Sequence, residues 1–264
     1  MHQKSAPADG AGGLSCLNGL VALVTGGSRG FGRAVALLLA RQGARVVINT
    51  RKSQASAEET LALLEENGEK HFTVQGDVAN AADVRAMFQT IQNECGRLDV
   101  LVNNAGVNRD ARLASLTESM WDEVVATNLK GPFLCAQAAA PLMLRNQRGA
   151  ILNIASETAL TGRIGACNYI AAKSGLLGLT KALAKELAPL IRVNCMALGY
   201  IHTEELAERF HLDDVENVRR IEKDIPLGRI GTPEEAASAA LFLCSDQSRY
   251  VTGQVVAVGG GKWM

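Results

Sequence analysis

Aromatic side chains are scarce, at 4% of 264 residues with only two tryptophans and three tyrosines, so any core must be aliphatic and closely packed. Charge of one sign is also lacking. Lys plus Arg and Asp plus Glu number 27 each, which excludes the global field that draws a chain to nucleic acid or to an anionic membrane surface. The six cysteines (Cys16, Cys95, Cys135, Cys167, Cys195, Cys244) form no CxxC and mostly sit in apolar runs. They are expected as free thiols in a reducing, cytoplasmic setting rather than as a disulfide framework. His2, His71, His202 and His211 show no metal-ligand spacing, so no metal is expected. No run reaches the ~18 apolar residues of a membrane-spanning helix. The opening MHQKSAPADGAGGLSC lacks an apolar h-region, and residues 1–17 read as a disordered extension, with folded structure starting near Asn18.

What is present is alternation. Short β-branched runs at 20–25, 44–50, 70–75, 98–104, 149–156, 191–197 and 254–260 are separated by amphipathic stretches at 30–42, 54–67, 80–95, 118–146, 168–188 and 233–245. Seven strands alternating with six helices predict an α/β fold. Right-handed crossovers then require a doubly wound parallel sheet with helices on both faces. No linker or repeat divides residues 18–264, so one domain is expected. Between the last two strand-helix units, residues of roughly 200–230 exceed the usual connection of about 2–6 residues, and they read as a substrate-binding lid that contains helices.

The first strand runs into TGGSRGFGRAVA. Gly26, Gly30 and Gly32 there suit a tight turn, a close approach of pyrophosphate and close helix packing, with a helix N-terminus offering free N–H donors. A dinucleotide site is predicted. About 20 residues on, where a carboxylate would read a ribose 2′-hydroxyl, the sequence has Thr50 and Arg51. With Arg29 in the turn, two guanidinium groups suit a 2′-phosphate, which favours NADP(H) over NAD(H).

TGGSRGFG (25–32), GDV (76–78), NNAG (103–106), Asn128 in TNLKG, Ser156 in NIASE, YIAAK (169–173) and VNCMALGYIHT (193–203) follow one another in order. Together they resemble the classical short-chain dehydrogenase/reductase family over essentially all of residues 18–264. The resemblance implies a Rossmann-type, seven-stranded doubly wound sheet and a cofactor site formed by Gly26, Ser28, Arg29, Gly30, Phe31, Gly32, Thr50 and Arg51. It further implies Asp77 and Val78 at the adenine, Asn103, Ala105 and Gly106 lining the ribose and stabilising the sheet, and Gly199, Ile201 and Thr203 at the nicotinamide end. Asn128, Ser156, Tyr169 and Lys173 would be the catalytic set, the last two also touching the cofactor. One position departs from the family's pattern: Leu198 stands where a proline is usual, and it releases the backbone restriction that proline imposes.

Tyr169 and Lys173 lie four residues apart among small residues, on one helix face. An ammonium beside a phenol favours the phenolate, so Lys173 is expected to lower the pKa of Tyr169 and to hold the nicotinamide ribose. Ser156 would hold a carbonyl oxygen, and Asn128 a water that relays protons. Within the family, NRD (108–110), PLGRIGTPEEAASAALFLCSD and YVTGQVVAVGGG resemble the 3-oxoacyl-acyl carrier protein reductases. That resemblance implies a β-ketoacyl thioester substrate, an acidic carrier protein as partner and a homotetramer or homodimer. Arg109, Arg112, Lys185, Arg209, Arg219 and Arg220 are candidate docking cations, whereas Leu134 and Leu190 stand where the subgroup often has basic residues. A reductase or dehydrogenase for a small free ketone, polyol or other secondary alcohol is the alternative. A non-catalytic nucleotide sensor or scaffold comes third, and the intact catalytic set argues against it.

Overall fold

The computed structural model describes residues 16–52, 54–65 and 70–263. A single seven-stranded sheet runs in the order β3-β2-β1-β4-β5-β6-β7, and every pairing is parallel. The strands are β1 (Val21–Thr25), β2 (Arg45–Thr50), β3 (Phe72–Gln75), β4 (Val100–Asn103), β5 (Gly149–Ser156), β6 (Ile191–Leu198) and β7 (Val255–Val258). Each lies within the span expected from sequence or within one residue of it. The chain winds one way from β1 to β3 and the other way from β4 to β7. The reversal between β1 and β4 opens a crevice at their carboxyl ends.

The central strands are apolar on both faces because helices cover both. Along β1, Val21 and Leu23 join one core, while Ala22 and Val24 join the other. That is the two-residue period of a strand buried on each side. The Ala22 face packs under α1 (Gly30–Arg41) and α10 (Pro233–Cys244). The Leu23 face packs under α3 (Ala81–Cys95) and α5 (Gly131–Arg145), with α7 (Cys167–Leu187) completing that layer. α2 (Gln54–Glu65) follows β2, and its expected last residues, 66 and 67, lie outside the described residues.

Three expectations are corrected. The helix expected over 118–146 divides into α4 (Glu118–Val125), a π-helical turn (Ala126–Lys130) and α5. Sequence periodicity does not resolve a one-turn change of hydrogen-bond pattern. A short helix, α6 (Thr158–Thr161), follows β5 and was not expected. Ordered packing also starts before Asn18: Leu17 is fully buried, and its N–H donates to the Gln42 carbonyl at 2.9 Å. Residues 1–15 of the expected extension lie outside the described residues. The region expected as a lid carries α8 (Glu204–Phe210) and α9 (Val215–Lys223). All six cysteines are free thiols.

The turn from β1 into α1 depends on Gly32. A Cβ there would lie 2.5 Å from the Gly26 carbonyl oxygen and would also strike the Asn104 amide. Gly32→Ala should therefore destabilise the fold by about 1–3 kcal/mol through overpacking. Urea unfolding measures this, and an unchanged midpoint would contradict the assigned packing.

Candidate active site

Thr25 ends β1 and fixes the crevice. Its hydroxyl donates to the Val102 carbonyl at 3.2 Å and accepts from the N–H groups of Asn104 and Ala105 at 3.0 and 3.1 Å. Asn104 returns the link, its amide donating to the carbonyls of Thr25 and Gly26 at 2.9 and 3.0 Å. The glycine turn and the loop after β4 are thus one rigid floor. Gly26 has φ +61°, and a Cβ on it would lie 3.0 Å from the Ala105 backbone, so glycine is required twice over.

A cleft of about 720 Å3 opens above this floor. Gly26, Ser28, Arg29, Gly30, Phe31, Gly32, Thr50, Arg51, Asp77, Val78, Ala105, Gly106, Ser156, Tyr169, Lys173, Gly199, Ile201 and Thr203 all line it, as the sequence predicts. The fit to a nicotinamide dinucleotide is physical. The N-terminus of α1 has no side-chain cap, because Arg29 at that position makes none, so its N–H donors face the cleft wall. Arg29 and Arg51 are exposed there together with Lys52. Arg51 also lies 3.6 Å from Asp77, a partly exposed pair that a stronger anion could displace.

Two predicted residues are placed elsewhere. Asn103 is buried and does not line the cleft; its amide donates to Asn153 Oδ1 at 2.9 Å and toward the Pro132 carbonyl at 3.4 Å. It ties β4 to β5, and its neighbour Asn104 is the cleft residue. The alternation of a strand explains the exchange, since adjacent side chains point to opposite sides. Asn128 is fully buried in the π-helical turn, its amide bonded at both ends to Val107: it accepts from the N–H at 2.9 Å and donates to the carbonyl at 2.7 Å. The loop after β4 is thereby clamped. A Cβ on Gly106 would come within 2.9 Å of Asn128 Oδ1 and 3.8 Å of Lys173 Nζ, so that glycine separates the two by little.

At the other end of the cleft, α7 meets the end of β5. Lys173 is 4% exposed; its Nζ donates to the Ile154 carbonyl at 2.6 Å and stands 5.7 Å from the centre of the Tyr169 ring. Ser156 Oγ lies 2.9 Å from Thr158 Oγ1 and accepts from the Thr158 N–H at 3.3 Å, on the same cleft wall as Tyr169. Asn168 positions the start of the helix, donating to the Arg109 and Met120 carbonyls at 3.0 and 3.3 Å. The small residues of YIAAKSG have a second use, for a Cβ on Gly175 would lie 2.8 Å from Leu129 of the π-helical turn.

The expected pKa of Tyr169 is corrected. Burial pushes the phenol up to about 12; Glu205 adds to the rise, while Arg209, the Ser156 hydroxyl and Arg163 act against it. Burial likewise pushes the Lys173 ammonium down to about 8, and Lys173 is not among the groups that shift the phenol. The cations that act on Tyr169 in the chain alone are two arginines that sequence spacing did not single out for this role. Asp110 holds both: it pairs with Arg163 at 2.8 Å and with Arg209 of α8. Asn108 donates to Glu205 of the same helix at 2.8 Å, so the loop after β4 and the lid are joined twice.

The glycine-rich crevice and the Ser156, Tyr169, Lys173 group are those of an oxidoreductase acting on the CH–OH/C=O couple with a nicotinamide cofactor. Residues 26–262 match the family described as enoyl-(acyl carrier protein) reductase. A 3-oxoacyl-acyl-carrier-protein reductase of Staphylococcus aureus is 43% identical over 247 residues, 92% of this chain and 98% of that one. One from Synechocystis is 42% identical over 253 residues, 95% of this chain and 100% of that one. Among solved structures, a candidate short-chain alcohol dehydrogenase from Sinorhizobium meliloti superposes with TM-score 0.89 at 40% identity, covering 94% of this chain and 98% of the other. A candidate gluconate dehydrogenase from Agrobacterium tumefaciens superposes with the same TM-score, 0.89, at 34% identity and the same coverage, 94% and 98%. The chain belongs to the short-chain dehydrogenase/reductase family.

Lys173 bears a stability cost that can be measured. Its pKa falls from 10.5 to about 8 on folding, so the unfolded chain binds more protons between those values and stability rises with pH across that window. At pH 7 the full penalty is present. Lys173→Met should stabilise the cofactor-free protein there by about 2 kcal/mol, allowing for its lost hydrogen bond. Thermal melts of both proteins would show the gap closing between pH 8 and 10.5, and a variant that is less stable at pH 7 would contradict the burial argument.

Proposed function

We propose that this chain reduces a β-ketoacyl thioester to the β-hydroxyacyl thioester with NADPH. The observation that carries the reading is the convergence of Ser156, Tyr169 and Lys173 at one end of a cleft whose other end has Arg29, Arg51 and Lys52 and no carboxylate on β2. The names of the relatives above supply the acyl-thioester class. A nicotinamide, when bound, supplies the hydride.

The chain supplies the rest. Ser156 Oγ donates to the substrate carbonyl oxygen and stabilises the charge that develops there. Tyr169 Oη donates its proton to that oxygen, and a phenol held up to about 12 is protonated at neutral pH, as this direction requires. Lys173 offers its remaining N–H groups to the ribose, which places a cation near the phenolate once the proton has left. Asn128 keeps Val107 and the loop after β4 in place beneath that ribose.

A second reading has an observation of its own. Arg163 and Arg209, both on the cleft wall with Tyr169, share one carboxylate, Asp110, behind them, and such a pair of guanidinium groups suits a small keto acid or oxidised sugar acid. A screen that follows NADPH absorbance separates the two. Acetoacetyl thioester, free or carrier-linked, should be reduced with kcat/KM at least ~10-fold above that for free keto acids, and the opposite order would select the second reading. Arg51→Asp should reverse the preference for NADPH over NADH, costing about 1–3 kcal/mol of 2′-phosphate recognition. An unchanged ratio of kcat/KM for the two cofactors would remove the phosphate assignment.

A further inference from the structure

The residue after Ser156 is a buried carboxylate that the mechanism does not use. Glu157 is 2% exposed, and its Oε2 has no hydrogen-bond partner among the described residues. It occupies a slot that only glycines leave open. A Cβ on Gly199, just after β6, would lie 2.6 Å from Glu157 Oε2, and one on Gly259, just after β7, would collide with the same carboxylate. The side chain thus lies across the ends of two neighbouring strands.

What reaches it is the tail after β7. Burial pushes the Glu157 carboxyl up, and the nearby Lys262 charge and Trp263 indole pull it back. Lys262 is itself largely covered, with 12% of its side chain exposed. Its Nζ lies 4.7 Å from the centre of the Tyr200 ring, 5.6 Å from that of Trp263 and 3.5 Å from Asp224 Oδ2. The backbone adds a tie, since Leu227 N–H donates to the Gly260 carbonyl at 3.1 Å. The tail is therefore sewn both to the residue beside Ser156 and to the segment that leaves the lid after α9.

Glu157, Tyr200, Asp224, Lys262 and Trp263 all line the cleft that holds Tyr169. We propose that Lys262 and Trp263, keyed into place by Glu157, form the outer wall of the substrate end and limit the length of the acyl group that enters beside Tyr169. The physical basis is a mutual requirement. A tail that moved away would take the Lys262 charge from a buried carboxylate that already lacks a partner at Oε2, and would break the Lys262 contacts with Tyr200 and Asp224 and the Leu227–Gly260 bond, so the wall stays docked. The proposal rests on the acyl-thioester reading above and adds a determinant of length to it.

The test compares the full chain with a variant ending at Gly261 and with Trp263→Ala, using acetoacetyl-CoA and 3-oxooctanoyl-CoA. The kcat/KM ratio of long to short substrate should rise at least ~5-fold in both variants, and Glu157→Gln should move it in the same direction. The Kd for NADPH should stay within about twofold. A merely structural tail would lower both substrates alike and leave the ratio where it was, which would overturn the proposal. Trp263 provides a second readout. The chain has two tryptophans, so Trp121→Phe isolates the emission of Trp263, and 3-hydroxyoctanoyl-CoA added with NADP+ should shift it. If the full chain reduces neither thioester, the acyl-thioester reading fails. The wall is then judged by Trp263 emission with NADP+ and small secondary alcohols, where a shift retains it as a substrate contact and no shift overturns it.

Discussion

The site depends on one buried charge. Lys173 is carried on the long helix α7 into a place where its ammonium is almost wholly shielded from water, and its one hydrogen-bond acceptor among the described residues is the Ile154 carbonyl at 2.6 Å. The register of α7 against β5 is set by that bond. Ser156 lies two residues beyond Ile154, and Tyr169 lies one helical turn before Lys173, so one contact brings the end of the strand and the helix face together. The π-helical turn supports the same junction from below, with Leu129 against Gly175 and Asn128 on Val107. The same burial that lowers the pKa of the ammonium holds it 5.7 Å from the centre of the Tyr169 ring.

The electrostatics around Tyr169 are built from loops that enter the site from three directions. Asp110, in the loop after β4, gathers Arg163 from the segment between α6 and α7 and Arg209 from the lid. Asn108 holds Glu205 on that lid helix, and Glu205 acts on Tyr169 with the opposite sign to the arginines. The charge near the phenol therefore depends on the position of α8.

Much of this was legible in the sequence because each strand is buried on both faces and reads as a plain β-branched run. The parallel sheet, the glycine turn and the Tyr169–Lys173 pair follow from spacing alone. Asn103 was misplaced because two adjacent asparagines at a strand end differ only in the face to which each points. The π-helical turn was invisible because one altered hydrogen-bond turn leaves the apolar period nearly unchanged. The Glu157–Lys262–Trp263 group could not be read, since its members are brought together only by the parallel alignment of β5, β6 and β7. The long connection over 200–230 was expected to contain helices and carries α8 and α9, but its attachment to Asp110 and to the tail depends on tertiary placement.

The central claim is that Tyr169 gives the proton to the carbonyl oxygen. Steady-state reduction of acetoacetyl-CoA by Tyr169→Phe, with NADPH binding measured alongside, tests it most directly. The account predicts a loss of at least ~100-fold in kcat, the scale of general acid catalysis, with NADPH affinity retained. A Tyr169→Phe protein that folds normally and keeps the full rate of reduction would contradict it.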